Sequence, residues 1–187
     1  EPAAPGAIDV HFFRSSAGTN YLLWKIDGNQ TPGNPTPIYI QPLSADGLTL
    51  TGSKTQLIDH DTSWEGNLVE GPWMIEEGGY FYLFYSANGY ASNNYAIGVA
   101  RASSPTGPFT KYSGNPILKT RGAWAGPGHG SVVKGTHGEW VHVFHAWVAG
   151  QVGQSPPGRQ VLVDRVDFVN GWPRMLAAPS LGSQPMP

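Results

Sequence analysis

Apolar residues in this chain fall into short runs of Val, Ile, Tyr, Phe and Trp, and no long stretch shows a helical 3.6-residue apolar period. The runs are bounded by Gly, Pro, Asn and Asp, which punctuate strands. Their order repeats. Gly18, Gly79 and Gly138 lie about 60 residues apart, and each opens an aromatic run: Asn20-Tyr21-Leu22-Leu23-Trp24, Tyr80-Phe81-Tyr82-Leu83-Phe84-Tyr85 and Trp140-Val141-His142-Val143-Phe144. A further strand-like run follows in each copy, at Ile38-Tyr39-Ile40-Gln41, Tyr95-Ala96-Ile97-Gly98-Val99-Ala100 and Gln160-Val161-Leu162-Val163-Asp164, and each soon reaches a turn at Gly47, Gly107 or Gly171.

The repeat predicts three four-stranded antiparallel meanders of the kind that form β-propeller blades, an all-β fold. The expected blades cover residues 7–60, 67–118 and 127–178, followed by a Pro-rich tail over 179–187. In the first, Leu48-Thr49-Leu50-Thr51 is expected to be the outer strand, running on toward Leu57-Ile58. The second has strands near Val69 to Ile75, Tyr80 to Ser86, Tyr95 to Ala102 and Phe109 to Tyr112. The third begins near Ser131 to Lys134.

In a propeller the first strand of each blade lines the central channel, so residues at equivalent places on these strands converge. Asp9, Glu70 and His129 each lie nine residues before their repeat glycine. They are expected to occupy one position in three blades and to face one channel. A lone acid is usually a turn or solvated residue. Glu70, however, lies in Val-Glu-Gly-Pro-Trp and Asp9 between Ile8 and Val10, and an apolar setting raises a carboxyl pKa toward what a general acid needs.

Composition narrows the function. Charged residues are 13% of the chain and the formal net charge is −2, with no basic cluster, so no nucleic-acid role is expected. No apolar run approaches a membrane span, and Glu1 to Gly6 is neither basic nor apolar enough to be a signal peptide. Cys is absent, which excludes disulfides and thiol chemistry. An aromatic-rich, charge-poor set of β repeats fits a carbohydrate-facing protein outside the cell.

The ordered motifs resemble glycoside hydrolase family 43. Ala7-Ile8-Asp9-Val10-His11-Phe12-Phe13 is similar to the segment carrying that family's auxiliary aspartate, and Val69-Glu70-Gly71-Pro72 to the segment of its general acid. Tyr95 to Ala100, Gly107-Pro108-Phe109 and Pro116-Ile117-Leu118 also match its usual run. Gly126-Pro127-Gly128-His129 resembles the segment of a channel histidine beside a central Ca²⁺ or water, and Gly158-Arg159 through Gly171-Trp172-Pro173 resembles the closing blade.

The resemblance implies a five-bladed propeller and an inverting glycosidase acting on arabinose- or xylose-containing plant polysaccharide, secreted from the cell. This chain would supply three blades, with Glu70 as proton donor and Asp9 tuning it. His129 would position water around Ca²⁺, if an ion is bound, because hard Ca²⁺ prefers oxygen donors. Trp73, Trp147 and Arg159 are candidate substrate-binding residues, with blade packing the competing reading for the two tryptophans. His142 and His145 read as core or channel-wall residues.

In the family the general base lies on a segment before the auxiliary aspartate, and only eight residues precede Asp9 here. The expectation is that an N-terminal fragment of the same precursor supplies the base and the remaining blades. The chain alone would then be inactive. The alternative is a non-catalytic carbohydrate-binding partial propeller. A purely structural propeller is disfavoured by two carboxyls at channel positions.

Overall fold

The computed structural model describes residues 5–31 and 33–175. The expected tail over 179–187, the end of the third blade beyond Met175 and the first four residues lie outside them. Among the described residues, twelve strands form three separate four-stranded sheets. The first contains β1 (Ala7–Arg14), β2 (Asn20–Ile26), β3 (Ile38–Leu43) and β4 (Thr55–Ile58). The second contains β5 (Val69–Glu77), β6 (Tyr80–Ala87), β7 (Ala96–Ala102) and β8 (Thr110–Lys111). The third contains β9 (Trp124–Lys134), β10 (Trp140–Val148), β11 (Arg159–Val169) and β12 (Trp172–Met175). Each sheet is an antiparallel meander in sequence order. β1 lies against β5 and β5 against β9, which makes them the innermost strands of consecutive propeller blades.

The cores lie between blades. Along β6 the side chains alternate sides, as strand geometry requires. Leu83 and Tyr85 pack with Phe13, Leu23, Ile38, Ile40 and Ile58 of the first blade. Tyr82 and Phe84 pack with Trp124, Val132, Phe144, Leu162 and Val166 of the third. Among the described residues, the first and third blades each have one covered face. Val10 and Phe12 remain 63% and 52% exposed on β1, and Val161 and Val163 remain 76% and 42% exposed on β11.

Two strands depart from the sequence-based expectation. The outer strand of the first blade is Thr55–Ile58, whereas Leu50 makes only an isolated bridge to Leu43 and Leu48 is 84% exposed. Burial decides the pairing, because Leu57 and Ile58 reach the inter-blade core. The Gln41 amide donates to the Gly52 carbonyl at 2.9 Å and holds the intervening excursion against β3. In the third blade, β9 starts at Trp124 rather than near Ser131. Its glycines look like turn formers, yet Gly128 sits inside the strand because a Cβ there would lie 2.0 Å from Cε1 of Tyr95. Close approach, and not a turn, calls for glycine at that position.

Candidate active site

All three inner strands carry the same irregularity. His11 pairs with Leu23, Trp73 with Phe84 and Ser131 with Val143, and each pairing is preceded by a register shift. Two residues before these pairs the backbone turns left-handed, at Asp9 (φ 57°), Gly71 (φ 58°) and His129 (φ 47°). Such a bulge re-aims the neighbouring side chains and is common beside active sites. Left-handed backbone at a non-glycine residue is uncommon, although Asp and His are enriched among the exceptions. Here the surrounding ladder imposes it twice.

The shared nine-residue offset is therefore one residue out in the middle blade. Asp9 and His129 are equivalent, but Glu70 immediately precedes the bulge residue Gly71 and is equivalent to Ile8 and Gly128. The cause is the β5–β6 hairpin, which takes one residue fewer between equivalent positions: Glu76 pairs with Phe81, whereas Arg14 pairs with Asn20 and Lys134 with Trp140.

The bulges nonetheless bring the three side chains to one end of the inner strands. The amide N–H of Gly71 donates to Asp9 Oδ2 at 2.9 Å, tying the aspartate to the peptide that follows Glu70. The His129 ring lies against Gly71, where a Cβ would sit 3.3 Å from Cγ of the imidazole. Glu70 is gripped at both oxygens. The Tyr95 hydroxyl donates to Oε1 at 2.5 Å and the Lys25 ammonium donates to Oε2 at 3.3 Å. The Lys25 side chain has no exposure and that of Glu70 has 13%, so this ion pair is screened far less than a surface pair.

Tyr95 is buried, and burial together with the adjacent Glu70 carboxylate pushes its pKa well above the usual 10. It therefore stays protonated and acts as a donor. Ser86 bonds the same hydroxyl and accepts the His129 backbone N–H at 2.7 Å, so a directional chain runs from β9 through β6 to Glu70. The Tyr95 ring stacks on His145 with centroids 5.7 Å apart and planes at 13°. Burial lowers the His145 pKa to about 4, with contributions from Arg159 and His129. The Arg159 guanidinium donates to its Nε2 at 3.2 Å, which puts the ring proton on Nδ1.

Of the residues expected to bind substrate, Arg159 lies at this end, with its guanidinium also 5.0 Å from the Tyr90 ring centroid. Trp147 is buried, and its indole N–H donates to the Tyr90 carbonyl at 2.8 Å. Trp73 lies further along β5. It packs on His11 at 4.0 Å and donates to the Val132 carbonyl at 2.8 Å. With His11 and Trp140 it lines a cleft of about 650 Å³ that contains none of Asp9, Glu70 and His129. Both tryptophans have inter-element packing partners.

No group of three or more His, Cys, Asp or Glu side chains among the described residues is arranged to hold a metal ion.

Sequence reading missed Lys25, Ser86, Tyr95 and His145 as a set. Three of them carried a signal. Lys25, Ser86 and His145 each lie seven residues after the repeat glycine and pair with Ile8, Glu70 and Gly128, the residues just before the bulges. A lysine that shares the core-facing side of β2 with Leu23 also calls for a buried anion.

The sequence profile described as Glycosyl hydrolases family 43 matches residues 2–173. The chain belongs to this family. It is similar to a β-D-galactofuranosidase of Aspergillus niger, 26% identical over 162 residues that cover 87% of this chain and 43% of that protein. An arabinan endo-1,5-α-L-arabinosidase A of Aspergillus niger is 32% identical over 188 residues, covering 89% of this chain and 54% of that protein. Among solved structures, a thermostable family-43 glycoside hydrolase superposes with a TM-score of 0.85 at 36% identity, covering 97% of this chain and 61% of that one. The family 43 chain thus spans from about two fifths to three fifths of the length of these relatives. No helix among its described residues is long and apolar enough to cross a membrane.

Proposed function

We propose that these three blades carry the acid half of an inverting glycosidase, with Glu70 donating a proton to the departing sugar oxygen and Asp9 tuning it. The observation that carries this reading is the double grip on Glu70, by Tyr95 at Oε1 and Lys25 at Oε2, beside a carboxylate anchored on the next peptide. A proton donor must be held in place and be stabilised as a carboxylate once the proton has gone. In this reading Arg159, at the same end, contacts a sugar hydroxyl. An inverting mechanism also needs a base carboxyl roughly 6.5 to 9.5 Å from the acid, with room for water between them. In this reading the base comes with the remaining blades.

Those blades would cover the apolar faces left open at Val10 and Phe12 and at Val161 and Val163. Their proposed source is the N-terminal part of the same precursor, consistent with relatives longer than this chain. For substrate, the proposal is an arabinose- or xylose-containing plant polysaccharide outside the cell. Its support is the naming of similar proteins as a xylan 1,3-β-xylosidase of a Vibrio species, arabinan endo-1,5-α-L-arabinosidases, and an extracellular exo-α-(1→5)-L-arabinofuranosidase of Streptomyces avermitilis. The test is hydrolysis of aryl arabinofuranosides and xylosides by the ring-complete protein, with the anomer released followed by NMR. Turnover with inversion supports the proposal. Binding of oligosaccharide without turnover would make the assembly a carbohydrate-binding module.

A further inference from the structure

Lys25 is the one fully buried lysine among the described residues, and one of its three polar partners is Glu70. Its ammonium donates to Asn29 Oδ1 at 2.9 Å and contacts Asp27 Oδ1 and Glu70 Oε2, each at 3.3 Å. Strand pairing fixes where it stands, since Lys25 is the partner of Ile8, the residue next to the Asp9 bulge. Asp27 belongs to the same chain segment as Lys25, and its side chain retains 26% exposure. Glu70 comes from the next blade. One buried cation is thus shared between a peripheral carboxylate of its own blade and the candidate acid of its neighbour.

We propose that Lys25 is a positioning residue that sets the pH at which Glu70 gives up its proton, with Asp27 tempering its pull. This rests on the reading of Glu70 as the acid only where activity is concerned. A cation about 4 Å from a carboxyl favours the ionised form, in the amount of roughly 1 to 3 pH units. The same charge stabilises the carboxylate that Glu70 becomes as its proton passes to the leaving group. Asp27 competes for that cation, so its charge weakens the hold of Lys25 on Glu70. The other titratable or charged groups around Glu70 are Asp9 on β1, Tyr95 before β7, His129 on β9, His145 on β10 and Arg159 on β11. All of them are unchanged when Lys25 or Asp27 is varied.

The geometry therefore makes opposite predictions for two neighbouring substitutions. In Lys25→Met, Glu70 keeps its proton to higher pH, and the basic limb of the activity profile moves up by about one unit. In Asp27→Asn, Lys25 turns wholly to Glu70, and the limb moves down by a smaller amount. Lys25→Arg, which keeps the charge, restores much of the original profile.

The experiment reads both quantities on the ring-complete protein. The first is the side-chain carboxyl titration of Glu70 by ¹³C NMR, assigned with Glu70→Gln, and the second is the pH dependence of kcat/KM on an aryl glycoside. Shifts of opposite sign in Lys25→Met and Asp27→Asn support the proposal. An unmoved Glu70 titration in Asp27→Asn, or shifts of the same sign, overturns it, and Asp27→Asn serves even if Lys25→Met does not fold. If the NMR titration moves as expected while the activity limb stays fixed, Lys25 still governs Glu70, and the assignment of Glu70 as the acid fails instead.

Discussion

Gly128→Ala tests how tightly the support of Glu70 is built, because it adds a single methyl group to a residue with no chemical role. An ideal Cβ at Gly128 would lie 2.0, 2.4 and 2.7 Å from Cε1, Cδ1 and Cζ of Tyr95. Ordinary carbon contacts are about 3.5 to 4.0 Å, so the ring must withdraw by more than about 1 Å. It has little room to do so, since it stacks on His145 and its hydroxyl is held by Glu70 and Ser86. Overpacking of this kind costs about 1 to 3 kcal/mol, and loss of a hydrogen bond to a charged group adds about 1.5 to 3 kcal/mol. Gly128→Ala should therefore lower the urea-unfolding free energy by about 2.5 to 6 kcal/mol. A double-mutant cycle isolates the cause. Adding Gly128→Ala to Tyr95→Ala should cost less than about 0.5 kcal/mol, since the clashing ring is gone. A cost below about 0.5 kcal/mol for Gly128→Ala in the native background, or the same cost in both backgrounds, would refute the proposed wedge.

Three further outcomes follow from the site and core. Asp9→Asn removes a negative charge beside Glu70 and should move the basic limb of the activity profile to lower pH; an unchanged profile would make Asp9 a binding residue only. His11 and His142 are held neutral by burial, with pKa lowered from 6.5 to about 4 and about 3. The unfolded chain takes up their protons first, so their share of stability is present above pH 6.5 and is lost as pH falls toward those values, by up to about 1.4 kcal/mol per pH unit for each group. His142→Leu should flatten the decline measured by denaturant titration between pH 6 and pH 4, and an undiminished slope would count against it. Burial raises the pKa of Glu65, but Lys111, Tyr85 and the Asp61 amide outweigh it and hold the carboxyl below its ordinary 4.5. Its share of stability is therefore present above pH 4.5 and is lost below it, and Glu65→Gln should remove that acid-side loss in thermal melts.

The three-blade plan was legible because short apolar runs, repeat glycines and antiparallel pairing all carry the same period. Asp9 and His129 were placed correctly relative to each other for the same reason. The Glu70 register was not legible, because a hairpin one residue shorter in the middle blade cannot be seen in an offset counted from a glycine that belongs to the turn. The start of β9 was hidden because Gly126, Pro127, Gly128 and Gly130 read as a loop, whereas the fold uses Gly128 for close approach to Tyr95. Lys25 was visible as a charge in an apolar strand, but its partner is 45 residues away in another blade. Only the packing of blade on blade brings them together.

Substitution at Glu70 bears most directly on the central claim. In the ring-complete protein, Glu70→Gln should depress kcat for substrates with poor leaving groups by about 10² to 10⁴-fold, the usual contribution of a positioned general acid, while sparing activated aryl glycosides far more. A variant that lost the same factor on both kinds of substrate, or retained full activity on the poor ones, would contradict the assignment of Glu70 as the proton donor.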